Sequence, residues 1–116
     1  MKKNFTITNG KGFQMEFESG YTLSVQWGVG NYCDNRDVGP YNSEKDSDFY
    51  SSTTAEIAVW KTPKKGKHRN GLLNIAPYDQ VIGWLSTDDV AHWIQKVASA
   101  TCVEDIECIQ GELESD

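Results

Sequence analysis

Residues 4 to 27 alternate apolar and polar side chains in three successive stretches, and a period of two restricts this part of the chain to strands with one buried face. Phe5 and Ile7 alternate with Asn4, Thr6 and Thr8. Phe13, Met15 and Phe17 alternate with Gln14 and Glu16, and Tyr21, Leu23, Val25 and Trp27 with Thr22, Ser24 and Gln26. Register then selects the turns. A two-residue Ser19-Gly20 loop would set Glu18 against Tyr21 and throw the two apolar rows onto opposite faces. A three-residue loop, Glu18-Ser19-Gly20, sets Phe17 against Tyr21, Met15 against Leu23 and Phe13 against Val25. The odd loop is therefore predicted, with Gly20 at the left-handed position where a Cβ is costly. The same rule applied around Asn9-Gly10-Lys11-Gly12 brings Ile7 opposite Phe13.

From Gly28 to about Thr53 the pattern stops, and the stretch is rich in Asn, Asp, Ser, Gly and Tyr. Loops beyond about 12 to 15 residues are uncommon in compact domains. Tyr32, Tyr41, Phe49 and Tyr50 give this one the means to fold back on the body. Alternation resumes at Glu56 to Trp60, a fourth strand, and Leu72 to Ile75 and Val81 to Trp84 offer one or two shorter ones. A helix begins at Ser86. Ser86 or Thr87 can cap it, Asp88 and Asp89 suit its first turn, and Val90, Trp93, Ile94, Val97 and Ala98 form one stripe. The stripe needs a partner, and the apolar face of the sheet is available. The expected fold is α+β: an antiparallel meander of about five strands with one C-terminal helix packed on one face. A single domain over residues 1 to 100 is expected, followed by an acidic extension over 101 to 116.

Charge is unevenly placed along the 116 residues. The formal net charge is −6, from 17 acids against 11 bases. Glu104, Asp105, Glu107, Glu112, Glu114 and Asp116 lie near the C-terminus with no base among them. Removing these six leaves 11 acids, equal to the 11 bases, so the body is neutral. Within it Lys61, Lys64, Lys65, Lys67 and Arg69 crowd one loop around Pro63, Gly66 and Gly71. Each segment reads either as a solvated surface or as a working one: a phosphate-binding loop, and a negative surface for a basic partner. No apolar run approaches the roughly 18 to 20 residues of a membrane span. The N-terminus lacks the apolar core of a secretion signal, so a reducing cytoplasm is expected.

No standard catalytic motif is present. Cys33, Cys102 and Cys108 lack the paired spacing of a zinc site or a redox dithiol, and Cys33 reads first as a packed thiol. As a nucleophile it would need a histidine close in space, and neither His68 nor His92 is tied to it by sequence. Asp34 and Asp37 flank Arg36, whose guanidinium lowers a carboxylate pKa where a general acid needs it raised. The acids of this loop lack calcium-loop spacing, and no metal or cofactor is expected. Gly28-Val29-Gly30 follows a strand but leads into no helix, so it reads as an exit turn rather than a dinucleotide fingerprint. Trp27, Tyr32, Arg36, Tyr41, Trp60 and Trp84 either fill the core and pin the long loop, or line a pocket in which an arginine among aromatics stacks a base or grips a phosphate.

The run Glu18 to Arg36, the strand Ala55 to Trp60 and the segment Asp79 to Val90 carry a resemblance. They resemble a group of small tailed-bacteriophage proteins that share an NGYTVSVQFGxGNYC segment, an AEVAVW strand, and a DQVxGWxSxDDV segment leading into a terminal helix. The resemblance covers residues 16 to 98 and leaves the acidic tail outside. It implies a viral accessory protein of the infected bacterial cytoplasm that blocks a host antiviral system by non-catalytic binding, either to a defence protein or to its nucleotide messenger. In one version the acidic tail meets a basic host surface. In the other, Tyr32, Cys33, Asp34, Asn35, Arg36 and Tyr41 bind the ligand or partner, with Lys64, Lys65, Lys67 and Arg69 as phosphate-binding residues and a homo-oligomer interface as the setting. Direct DNA binding is not expected. The competing expectations are a small enzyme using Cys33 or the Asp34/Asp37 pair, and a structural virion component.

Overall fold

The structure, a computed structural model, describes residues 3–8, 11–36, 51–77 and 79–107. Five strands, β1 (Phe5–Ile7), β2 (Gly12–Glu16), β3 (Tyr21–Gln26), β4 (Ala55–Lys61) and β5 (Val81–Leu85), form one antiparallel sheet in the order of the chain. One helix, α1 (Thr87–Ala98), packs on it against β3, β4 and β5. The architecture is the α+β meander that the alternation demands.

Pairing follows the hydrophobic rows. Ile7 lies opposite Phe13, Phe13 opposite Val25 and Met15 opposite Leu23, with Leu23 opposite Val59 in turn. The loop between β2 and β3 is the three-residue one: Phe17 and Tyr21 pair through a 2.9 Å bond, and Gly20 sits at φ +97°. Helix α1 starts with a capping box. The Asp89 amide donates to the Ser86 hydroxyl at 3.1 Å and the Ser86 amide returns to the Asp89 carboxylate at 3.3 Å, so two otherwise orphaned donors are satisfied.

The helix-side face carries the core. Leu23, Ile57, Val59 and Val97 have no exposed surface, and Trp93 and Ile94 pack beside them. Three expectations are corrected here. Ala98 is exposed, and Ala100 beyond the helix is the buried alanine instead. Leu72 to Ile75 contributes a single bridge, Leu72 to Trp60, rather than a strand. Phe5 and Ile7 share the core-side face but are 77% and 83% exposed, because α1 covers β3 to β5 and stops short of β1.

The packed body also continues past residue 100. A 3₁₀ turn at Val103–Asp105 swings Ile106 into the core, where it is fully buried. Asp105 accepts from the Thr101 amide and hydroxyl at 2.8 and 2.9 Å, which hold its carboxyl below the usual range. Glu107 accepts from the Asn74 amide at 2.9 Å. Two acids of the charged C-terminal stretch thus pin it to the body. Glu112, Glu114 and Asp116 lie outside the described residues.

Candidate functional site

The second face of the sheet has no helix on it among the described residues, and the polar half of the alternation lines it: Gln14 and Glu16 on β2, then Thr22 and Ser24 on β3. Trp60 of β4 belongs to this polar row, opposite Thr22, yet is only 5% exposed. The basic loop covers it. After β4 the Thr62 amide donates to the Gly20 carbonyl at 2.9 Å and its hydroxyl meets that of Thr22 at 2.7 Å. A turn follows in which the Lys67 amide donates to the Lys64 carbonyl, with Gly66 at φ +81° supplying its left-handed corner. The chain then returns along β4, fixed by Asn70 on the Lys61 carbonyl at 2.6 Å and by the Leu73 amide on Val59 at 2.8 Å. The Arg69 guanidinium comes to rest 5.1 Å from the centre of the Trp60 ring.

Between loop and sheet lies an open concavity of about 810 Å³. Six cations line it, Lys3, Lys61, Lys64, Lys65, Lys67 and Arg69, against one carboxylate, Glu16. The loop residues expected to bind phosphate are therefore brought together, and Lys3 joins them from the far edge of the sheet. Trp60 does not act as a stacking platform there, since it is buried and Arg69 lies over its ring. Its part is to hold that guanidinium.

The long loop forms a separate assembly at the other end of the strands. Register places the concavity beside Thr22 and Trp60 and the loop beside Gln26 and Glu56, four residues or roughly 13 Å further along. Gly28 to Gly30 make the exit turn: the Gly28 amide donates to Asn31 Oδ1 at 3.0 Å and Gly30 adopts φ +87°. Asn31 then donates to Glu56 at 3.1 Å, and the Tyr32 amide donates to the other oxygen of the same carboxylate at 2.9 Å.

The residues expected to bind a ligand divide into two groups. Cys33 is 1% exposed with its thiol directed at the Gly28 carbonyl, and Asn35 is 5% exposed and donates to the Trp27 and Ser51 carbonyls. Both side chains are parts of the loop's interior, where they shape the loop. Asp34 is exposed and accepts from the Thr53 hydroxyl, while its amide donates to Thr54. Tyr32, 41% exposed, and Arg36 do reach the surface, the guanidinium 5.1 Å from the Tyr32 ring centre. Tyr41 and Asp37 lie outside the described residues.

Trp84, expected either to fill the core or to line a pocket, is exposed beside the long loop. It stacks on Tyr32 with centroids 5.7 Å apart and planes 24° from parallel, and is 53% exposed. Its φ is +53°, a left-handed backbone that a bulky aromatic avoids. The Trp84 amide donates to the Tyr32 carbonyl at 2.8 Å, and the pairing of β4 with β5 shifts register between Ala55 and Ile57. Gly83 permits this approach, since a Cβ there would stand 2.4 Å from that of Tyr32. Strain, a bulge and a glycine together hold two aromatic rings and an arginine at the surface as a ledge.

Fold and site define a sheet-and-helix protein with a basic concavity on its uncovered face and an aromatic ledge at one end. No family model matches the chain, and no curated protein or solved structure matches it either. No helix among the described residues is long and apolar enough to cross a membrane, and no cluster of three or more His, Cys, Asp or Glu suited to a metal occurs among them.

Proposed function

We propose that the protein is a bacteriophage accessory protein that antagonises a host antiviral system by non-catalytic binding, holding a small phosphorylated ligand of the nucleotide-messenger class in the basic concavity. The observation that carries this reading is the lining of six cations and one carboxylate on a chain whose net charge is −6. Positive charge concentrated in one hollow attracts a compact anion, while the negative molecule as a whole repels a long polyanion such as DNA. The host bacterial cytoplasm, where such messengers act, is the setting the reading requires. The acidic-tail version is less favoured, because Asp105 and Glu107 already accept hydrogen bonds from the body.

Calorimetric titration with a panel of nucleoside triphosphates, cyclic dinucleotides and inorganic triphosphate tests this. At least one is expected to bind, with affinity falling as salt rises. Replacing Lys64, Lys65 and Lys67 together by Gln removes three exposed cations, each worth roughly 0.2 to 1 kcal/mol, and is expected to weaken binding about tenfold. An absence of binding across the panel at low salt, or affinities indifferent to the triple substitution, would remove the reading.

A second arm, contact with a defence protein, is supported by the ledge. Trp, Tyr and Arg are the residue types that dominate protein interfaces, and here they are displayed at the cost of a strained backbone. Trp84→Ser is then expected to abolish protection of phage from defence in an infected strain while leaving triphosphate affinity unchanged. Unimpaired protection would discard this arm.

A further inference from the structure

We infer that β1 is the interface of a symmetric dimer in which two copies of the chain join their sheets edge to edge, β1 against β1, in antiparallel register centred on Thr6. Three observations lead there. The first is the exposure of Phe5 and Ile7, which lie on the core-side face yet are 77% and 83% exposed.

The second is the hydrogen bonding of β1. The Asn4 carbonyl accepts from Glu16 at 2.9 Å and the Thr8 amide donates to Gly12 at 3.0 Å, so the even-numbered residues face β2. In an antiparallel ladder the backbone groups of alternate residues point to opposite sides. The amides and carbonyls of Phe5 and Ile7 therefore point outward from the edge of the sheet.

The third is self-complementarity. Among antiparallel pairings of β1 with its own copy, the register that joins all four outward groups sets Phe5 opposite Ile7 of the second copy and Ile7 opposite its Phe5. Thr6 then meets its own counterpart on the two-fold axis. Each exposed apolar side chain gains a cross-strand partner of the aromatic and β-branched kind that pairs well. Residues 4 to 8 contain no charge to oppose a like charge and no proline, and the strand has none of the bulges by which edges are commonly protected.

Area sets the strength. An aromatic side chain buries about 150 to 250 Å². Phe5 and Ile7 at their present exposure therefore offer roughly 300 Å² per copy, and with the flanking strand edges the contact reaches about 1,000 Å² in total, the low end for a specific interface. The dimer is accordingly concentration-dependent, dissociating in the micromolar range. A two-fold axis perpendicular to the sheet keeps both uncovered faces on one side. The two concavities, each lined in part by Lys3 next to β1, then open in the same direction on a ten-stranded sheet. Dimerisation itself does not depend on what the concavities hold.

Sedimentation equilibrium of the full chain from low micromolar to several hundred micromolar is expected to move from the 13.0 kDa of one chain towards twice that mass. Ile7→Lys should hold it at one chain throughout, with an unchanged circular dichroism spectrum and thermal midpoint, because Ile7 takes little part in the core. In a Cys102→Ser, Cys108→Ser background, Thr6→Cys should form an intermolecular disulfide under mild oxidation. A non-hydrogen-bonded antiparallel pair has Cα atoms about 4.5 Å apart, within disulfide reach. Asn4→Cys should not, since in this register its counterpart lies roughly 13 Å away along the strand. A single-chain mass at every concentration, an Ile7→Lys dimer as strong as the parent, or equal cross-linking of Asn4→Cys and Thr6→Cys would each overturn the inference.

Discussion

Gly83→Ala tests whether the aromatic ledge is built by steric fit. A Cβ at Gly83 would lie 2.4 Å from the Tyr32 Cβ and 2.8 Å from the Tyr32 carbonyl oxygen. Neither atom belongs to the free end of a side chain, so backbone must move. Overpacking of this kind costs about 1 to 3 kcal/mol. The same displacement breaks the 2.8 Å bond from the Trp84 amide to Tyr32, about 0.5 to 1.5 kcal/mol, and disturbs a stacked aromatic pair of similar worth. These losses share one movement and do not simply add. Alanine also narrows the unfolded ensemble and returns about 0.4 to 1 kcal/mol. The net expectation is a destabilisation of about 2 to 3 kcal/mol, out of a total that for this length is of order 6 to 17 kcal/mol. Denaturant unfolding followed by tryptophan fluorescence measures it, with the thermal midpoint dropping by roughly 8 to 15 °C. Gly71→Ala is the control, because a Cβ there meets nothing within 4 Å, and it should stay within about 0.5 kcal/mol of the parent. If Gly83→Ala were as silent as Gly71→Ala, Trp84 would not owe its position to Tyr32.

Ser86→Ala removes the acceptor of the Asp89 amide and is expected to cost about 1 kcal/mol by the same assay; no change would mean that solvent satisfies that donor equally well. Ile106→Ala deletes a side chain with no exposed surface and should cost about 2 to 5 kcal/mol, whereas a value near zero would separate the C-terminal segment from the core. Two groups set opposite pH limits. The Asp105 carboxyl is lowered chiefly by the Thr101 amide, so its stabilisation is present above the ordinary carboxylate range and is lost as pH falls through its own pKa; Asp105→Asn should flatten the acid limb of a stability profile. Burial is the main cause that pushes the Tyr21 hydroxyl above 10.0, with Cys102 and nearby acids adding to it, so its contribution is present below that value and is lost as pH climbs towards the raised pKa; Tyr21→Phe should flatten the alkaline limb.

What the chain discloses before folding depends on which physical rule governs each part. The pairings Phe13 with Val25 and Met15 with Leu23 were legible because only an odd-length turn keeps both apolar rows on one face. The start of α1 was legible because Ser86, Asp88, Asp89 and the apolar stripe agree. Periodicity says which side chains share a face and is silent on how far a covering layer extends, which is why Phe5 and Ile7 obey the pattern and remain exposed. Trp84 was illegible for a different reason: its place is set by a register shift and a positive φ, neither of which has a local signature.

The concavity stands between these cases. The basic loop announced its charge, but nothing local says that it folds over Gln14, Glu16 and Thr22, residues that the alternation assigns to solvent. One signal did exist. Trp60 continues the polar row of β4, in register with Thr22, and a tryptophan facing open water beside a threonine is a poor arrangement for so large an apolar surface. Something had to cover it. The following nine residues, with five cations and with Pro63 and Gly66 to bend them, were the nearest candidate, and their return brings Arg69 onto the ring and leaves the lysines around a hollow. An apolar residue out of phase in an otherwise regular strand thus points to a covering loop, and the charge of that loop defines the chemistry of the space beneath it.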